Sequence, residues 1–263
     1  MNDIRTAVRN VYAGAEGRLW ELIMGEQIHI DGFASSMALA SRAGVKPGLS
    51  AIDLCCCSGA GLRFLAKLHG LGSGIGVDMT PEQLALGETR NRRDGVAERI
   101  RFVNADATAT GLPAASADLA WGEDAWCYVP ERAALVAEAA RLLKPGGTLA
   151  CTDWCWGARK PAKAEAERFL AFMKFPELFA AGDYATACQA AGLRVEVCED
   201  TGRFAPAIER YLADMTTQRT WDALVIIGFD QVKAAAIVGE MQHALALAKA
   251  GGLAQVMVVA RKA

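Results

Sequence analysis

The chain has few of the groups that metal and redox sites are built from. Its 263 residues include only three histidines and no Cys-x-x-Cys pair, so the usual zinc and dithiol donor sets are missing. It also has no excess of either charge. The 28 Lys and Arg face 30 Asp and Glu, a formal net charge of -2, which leaves no field to hold a nucleic acid backbone. A small-molecule partner, and no nucleic acid, is expected. No apolar run reaches the roughly 18–20 residues that span a bilayer, so no membrane partner is expected. The N-terminal stretch MNDIRTAVRN is charged and has no apolar signal core.

Eight cysteines are present, with Cys55, Cys56 and Cys57 consecutive and Cys127, Cys151, Cys155, Cys188 and Cys198 dispersed. This is not the framework of a small secreted disulfide fold, and a reducing, cytoplasmic setting is expected. Neighbouring residues on an extended chain point to opposite faces, so the cysteine run is not expected to chelate a metal.

The hydrophobic patterning alternates short apolar runs with amphipathic stretches. Residues 1–47 read as helical and end at Lys46-Pro47-Gly48, a turn signal. A strand over Ser50–Leu54 runs into Ser58-Gly59-Ala60-Gly61, followed by a helix over Leu62–His69. A second strand, Ile75 to Val77, ends at Asp78. Thr80 and Pro81 then suit the N-cap and first helical position. Strands are predicted over Ile100–Val103, Ala117–Trp121, Thr148–Thr152, Arg194–Cys198 and Gln255–Ala260, with a helix over Glu131–Leu143. Residues 158–182 and 204–250 carry helical patterning. The alternation predicts an α/β fold: a doubly wound, mostly parallel, Rossmann-like sheet with N-terminal helices and a helical cap insert. One domain is expected over 1–263, with an N-terminal helical lid at 1–47, a nucleotide-type core at 48–157 and the cap in the two later helical segments.

In an open α/β sheet, ligands bind beyond the carboxyl ends of the strands, near the switch in strand order. The first strand ends in AIDLCCCSGAG, and glycines there let backbone approach a nucleotide closely. Asp78 ends the second strand, where an acid can accept both ribose hydroxyls. Asp106 ends the third, where it can meet an adenine amino group. Each acid alone is a common helix cap; three at successive strand ends form a pattern. The glycine spacing is not the G-x-G-x-x-G of dinucleotide enzymes.

These segments, together with GVDM, NADAT, SADLAWGEDAWCYV and LLKPGGTLACTDW, resemble the class I S-adenosylmethionine (SAM) methyltransferases over about residues 50–155. WGEDAWCYVP, TDW, the stretch Met24-Gly25-Glu26-Gln27-Ile28-His29-Ile30 and the tail from Met241 to Lys262 look similar to the glycine, sarcosine and dimethylglycine N-methyltransferases. The resemblance implies SAM as methyl donor and S-adenosylhomocysteine (SAH) as product. It assigns Asp53 and the backbone from Cys55 through Cys57 to Gly59 to the methionine end, and Asp78 to the ribose. Met79, Asp106 and Ala107 go to the adenine, and Trp121 to Asp124 lie beside the sulfonium with Glu123 toward the substrate.

The family usually carries glycine where this chain has Cys55 and often where it has Cys57. A side chain there needs strained backbone or crowds the methionine portion. The thiols are either small packing groups or groups that touch substrate or methyl donor.

Methyl transfer is an in-line displacement driven mainly by positioning. His29 is the candidate for orienting a substrate or taking a proton, with Glu123 beside it; an ordinary hydrogen-bonded histidine is the alternative. Tyr12, Trp20, Trp126, Tyr128 and Trp154 are candidates for an aromatic wall that attracts a methylammonium group, or for plain core. The acceptor implied is an amine. O, S or C acceptors, or SAM binding without methyl transfer, stay open, as does the choice between monomer and homodimer.

Overall fold

The computed structural model describes residues 2–263. Seven strands form one sheet in the order β3-β2-β1-β4-β5-β7-β6. They are β1 (Ser50–Leu54), β2 (Ser73–Asp78), β3 (Ile100–Asn104), β4 (Ala117–Glu123), β5 (Leu143–Trp156), β6 (Leu193–Asp200) and β7 (Leu253–Lys262). The β1–β2, β1–β4, β2–β3 and β4–β5 pairs are parallel, and β7 runs antiparallel between β5 and β6. The chain leaves β1 toward one side and returns as β4 on the other. That reversal opens a crevice beyond the carboxyl end of β1.

The sheet is buried on both faces because its central strands are apolar at every second position on each side. Ile52, Leu54, Ala120, Leu149, Cys151 and Val258 pack toward α6 (Arg132–Leu142) and α8 (Ala181–Ala190). Ala51, Leu119, Trp121, Ala150 and Val259 pack toward α3 (Gly32–Ala43) and α4 (Ala60–Leu68). Cys151 and Cys155 are fully buried in the first layer, and all eight thiols are free.

A separate apolar cluster joins α2 (Ala15–Met24), α7 (Lys163–Met173), α9 (Phe204–Met215) and α11 (Gln231–Lys249) around Trp154. α1 (Asn2–Ala13), α5 (Pro81–Arg93) and the short α10 (Thr220–Ile226) complete the chain. Ion pairs strap the N-terminal helices to the sheet's flank. Glu21 meets Arg90, and Glu26 meets Arg93 at 2.7 Å and Arg63 at 3.2 Å.

The α/β fold with its mostly parallel sheet matches the patterning, with local differences. β4 continues past Trp121 to Glu123 because its end pairs with Thr152 of β5. β5 starts at Leu143 through a pairing with Ala117 that spans a bulge. α8 was not visible in the patterning; it lies on the sheet beside β6. Pro81 opens α5, but the Thr80 side chain makes no cap bond. No helix of the described residues is long and apolar enough to cross a membrane.

Candidate active site

The turn after β1 is the tightest part of the crevice. Cys55, Cys57 and Gly59 have φ of 62°, 49° and 76°, the left-handed region that side chains enter at about 1–2 kcal/mol per residue. The loop therefore curls as a glycine loop would, with two cysteines held in glycine conformation. Burial pushes the Cys55 thiol well up and the Cys57 thiol up to about 12, so both stay protonated and weakly nucleophilic at neutral pH. The Cys57 thiol faces the Gln83 Oε1 at 3.4 Å, and Gln83 Nε2 donates to the Tyr12 carbonyl at 2.6 Å.

Gly61, at the start of α4, is where three polar groups converge. An added Cβ would lie 2.7 Å from Glu123 Oε2, 2.9 Å from Trp121 Nε1 and 3.2 Å from Asp53 Oδ2. Glycine is required there for β1, β4 and α4 to approach. Burial, with Glu123 and Asp78 nearby, raises the Asp53 carboxyl well above the usual carboxylate range. A cation placed here would relieve that repulsion. The Trp121 Nε1 is buried without a partner.

Asp78 lies at the carboxyl end of β2. Its Oδ2 accepts the Cys57 amide at 2.8 Å and its Oδ1 the Thr80 amide at 2.9 Å. Met79 beside it is 44% exposed, an apolar side chain left open at the cleft. Asp106 follows β3. Its Oδ1 accepts the amide and hydroxyl of Thr108, while its Oδ2 takes Arg5 of α1 at 2.7 Å. Arg5 also reaches Glu131 at 2.7 Å, so α1 is clamped across the strand ends.

The opposite wall comes from the segment between α2 and α3 and from the turn after β4. His29 is 3% exposed. Its Nε2 lies 3.1 Å from the Ser36 hydroxyl and 3.4 Å from Glu123 Oε1. Ser36 donates to Glu123 Oε1 at 2.6 Å and accepts Gln27 Nε2 at 2.9 Å. Asp124, with φ 52°, ties the wall to the sheet. Its Oδ2 accepts the Ile30 amide at 2.8 Å and Gln255 Nε2 at 2.9 Å. Tyr12 and Tyr128 meet edge-on with their hydroxyls 3.1 Å apart.

Together these groups line one cleft of about 1160 Å³, its open mouth included. Of the residues named from the sequence, it brings together Asp53, Cys55, Cys57, Asp78, Met79, Asp106, Ala107, Glu123, His29, Tyr12 and Tyr128. Gly59 does not line it: Gly59 caps α4, and a Cβ there would strike Phe102 at 2.6 Å. Three tryptophans also leave the aromatic wall. Trp126 is fully buried and donates to the Leu54 carbonyl at 3.0 Å. Trp154 stacks among Phe169, Phe175 and Phe204, and Trp20 packs near Phe172. Trp20 and Trp154 belong to the helical cluster, and Trp126 to the core of the sheet. Arg5, Gln27, Ser36 and Gln83 were missed. Gln27 stands in the stretch Met24 to Ile30 without having been singled out; Arg5, Ser36 and Gln83 belong to no motif, and only the tertiary fold brings them to the site.

Residues 52–151 match a family model described as a methyltransferase domain. The matched segment runs from β1 into β5 and so covers the strands whose ends form the cleft. A cycloartenol-C-24-methyltransferase 1 of Oryza sativa subsp. japonica is 34% identical over 117 residues, 44% of this chain and 34% of that protein. The chain spans about a third to a half of the length of the curated relatives it matches. Among solved structures, a putative sarcosine dimethylglycine methyltransferase from Galdieria sulphuraria superposes with TM-score 0.85 at 20% identity, covering 95% of this chain and 97% of that one. The Haemonchus contortus phosphoethanolamine N-methyltransferase 2, in complex with phosphomonomethylethanolamine and SAH, also superposes with TM-score 0.85. It is 21% identical and covers 97% of this chain and 58% of that one. At these identities the two structures establish the fold alone.

Proposed function

We propose that this protein transfers a methyl group from SAM to a small-molecule acceptor, with an amine as the favoured acceptor. The observation that carries the reading is the set of acids at successive strand ends, Asp53, Asp78 and Asp106, opening on one cleft that His29 and the Tyr12–Tyr128 pair close from the other side. The residues fit SAM. Gly61 leaves room for a cation beside Asp53 and Glu123, Asp78 offers acceptors to ribose hydroxyls, and exposed Met79 offers an apolar face to adenine. Bound SAM supplies an electrophilic methyl group.

The chain's own residues then position and shield. Asp53 and Glu123 favour positive charge at the base of the cleft, which also suits a methylated ammonium product. α1 lies across the mouth through Arg5 and Tyr12, and with α2 and α3 it serves as a lid that limits water. The helices after residue 158 pack Phe169 and Phe204 against Trp154 of β5. The amine acceptor follows from this acidity and from the neighbours whose names specify sarcosine, dimethylglycine and phosphoethanolamine. The experiment is a SAH-release screen over primary, secondary and tertiary amines, phenols and thiols, paired with calorimetry of SAM. Tight SAM binding with release on amines supports the reading. SAM binding with no release on any acceptor defeats methyl transfer, and absent SAM binding defeats the cofactor assignment.

A further inference from the structure

The polar groups around Ser36 can be counted. Its hydroxyl has one proton and two lone pairs. Glu123 Oε1 at 2.6 Å has no proton to give while ionised, so Ser36 donates to it. Gln27 Nε2, 2.9 Å away, donates to one lone pair. The remaining lone pair faces His29 Nε2 at 3.1 Å, which must therefore carry the ring proton. Glu123 Oε1, 3.4 Å from the same nitrogen, favours a proton there as well. In the neutral ring the other nitrogen, Nδ1, is then a bare acceptor. It is buried and has no partner, on a residue that lines the cleft. A buried polar atom left unpaired costs about 1–3 kcal/mol, and an exception of this kind calls for an explanation, a role in catalysis among them.

We infer that Ser36, held by Glu123 and Gln27, is a positioning residue that fixes His29 as the Nε2–H tautomer, so that Nδ1 takes the proton an N–H or O–H acceptor loses on methylation. The inference rests on the methyl-transfer reading and narrows it to acceptors with a proton to lose. The acceptor's lone pair forms the new bond to the methyl carbon, and the carbon–sulfur bond breaks with its electron pair staying on sulfur. The acceptor's proton passes to Nδ1. The resulting imidazolium has the Glu123 carboxylate 3.4 Å from its other nitrogen and Asp124 on the neighbouring backbone, while Ser36 keeps the ring from turning.

The chain has three histidines, His29, His69 and His243, so 15N-histidine labelling gives a spectrum simple enough to assign with the His29→Asn variant. In the protein without ligand at neutral pH, His29 should show protonated Nε2 and bare Nδ1. A proton on Nδ1, or a charged ring, overturns the proposal whatever the activity. For an acceptor found by SAH release, Ser36→Ala should lower kcat about tenfold or more, within the range that proton transfer contributes, and leave SAM affinity within about twofold. Equal losses in SAM affinity and kcat would make Ser36 merely structural. Turnover confined to tertiary amines, which lose no proton, also overturns it. SAM binding without release on any acceptor instead defeats the functional reading, and the tautomer still decides the geometry of Ser36 and His29.

Discussion

The two walls of the cleft are built differently. The donor wall uses residues at the ends of β1, β2 and β3 and the turn that follows β1. Asp53, Cys57 and Asp78 sit within 26 residues of one another, and Asp78 grips the Cys57 amide directly. The acceptor wall is stitched across the whole chain. Arg5 meets Asp106, Tyr12 meets Tyr128, His29 and Ser36 meet Glu123, and Ile30 and Gln255 meet Asp124. The first wall follows from the sheet: once the strands pair, their ends must converge. The second exists only if α1 to α3 dock correctly, so sequence change there can alter the acceptor while the donor seat stays fixed.

The largest expected effect tests the donor wall. On the proposed assignment, Asp78→Ala removes a charged acceptor from the ribose, and it releases the Cys57 amide after β1 and the Thr80 amide after β2. Bonds to charged groups contribute about 1.5–3 kcal/mol, so SAM affinity should fall roughly tenfold to a hundredfold. Calorimetry showing unchanged affinity would place the ribose elsewhere. Asp78→Asn, which keeps one acceptor oxygen, should lose less.

On the acceptor wall, Asp153 accepts the Cys127 amide at 3.1 Å and the Tyr184 hydroxyl, and so holds the turn that carries Tyr128. Burial, aided by Asp124, raises its carboxyl to about 7. The folded state then binds more protons than the unfolded chain between about pH 3.9, the free value, and that point. Stability should therefore fall as pH rises through this window, on the order of a kcal/mol or more. Urea unfolding at pH 5 and pH 8 measures it. Asp153→Asn should flatten the difference; an unchanged pH slope in the variant would show that Asp153 ionises freely.

The same contrast governs what was legible in advance. The strands and the acids at Asp53, Asp78 and Asp106 were readable because sheet strands announce themselves by period and each acid stands at or just beyond a strand's carboxyl end. At Cys55 and Cys57 the resemblance left strained backbone or a crowded methionine site as alternatives, and the positive φ of both residues shows the strain. Aromatic composition misled. Trp20, Trp126 and Trp154 lie close in sequence to cleft residues, but they alternate to the buried side, as period-two and helical geometry allow. Ser36 carried no signal: a serine inside an apolar helix reads as a tolerated small residue until Glu123, 87 positions away, is brought beside it.

Cys55 and Cys57 sharpen the donor side of the comparison. If they only fill glycine positions, the double variant Cys55→Gly/Cys57→Gly sheds left-handed strain of about 1–2 kcal/mol per residue. It returns roughly 0.5–1 kcal/mol each to unfolded-state entropy. The net gain of about 1 kcal/mol or more should raise the melting temperature by a few degrees, with turnover kept within about tenfold in each Cys→Ala variant. A lower melting temperature for the glycine pair would mean that the thiols contribute packing larger than the strain. Loss of turnover in either alanine variant, with SAM affinity intact, would point to chemistry at sulfur.

The smallest effect separates the walls at one of the points where they meet. Arg5 belongs to α1 on the acceptor side, yet its guanidinium occupies Asp106 Oδ2, the oxygen free to meet an adenine amino group. Both side chains are about 30% exposed, and exposed ion pairs contribute about 0.2–1 kcal/mol. Arg5→Ala should therefore raise SAM affinity by no more than about fivefold, while loosening α1 and raising the acceptor's KM. Arg5→Lys, which reaches one acid but cannot bridge Asp106 and Glu131 as a fork, should lie between. If SAM affinity instead falls on Arg5→Ala, the guanidinium is part of the donor seat. The division at Asp106 would then have to be redrawn, with α1 assigned to both walls.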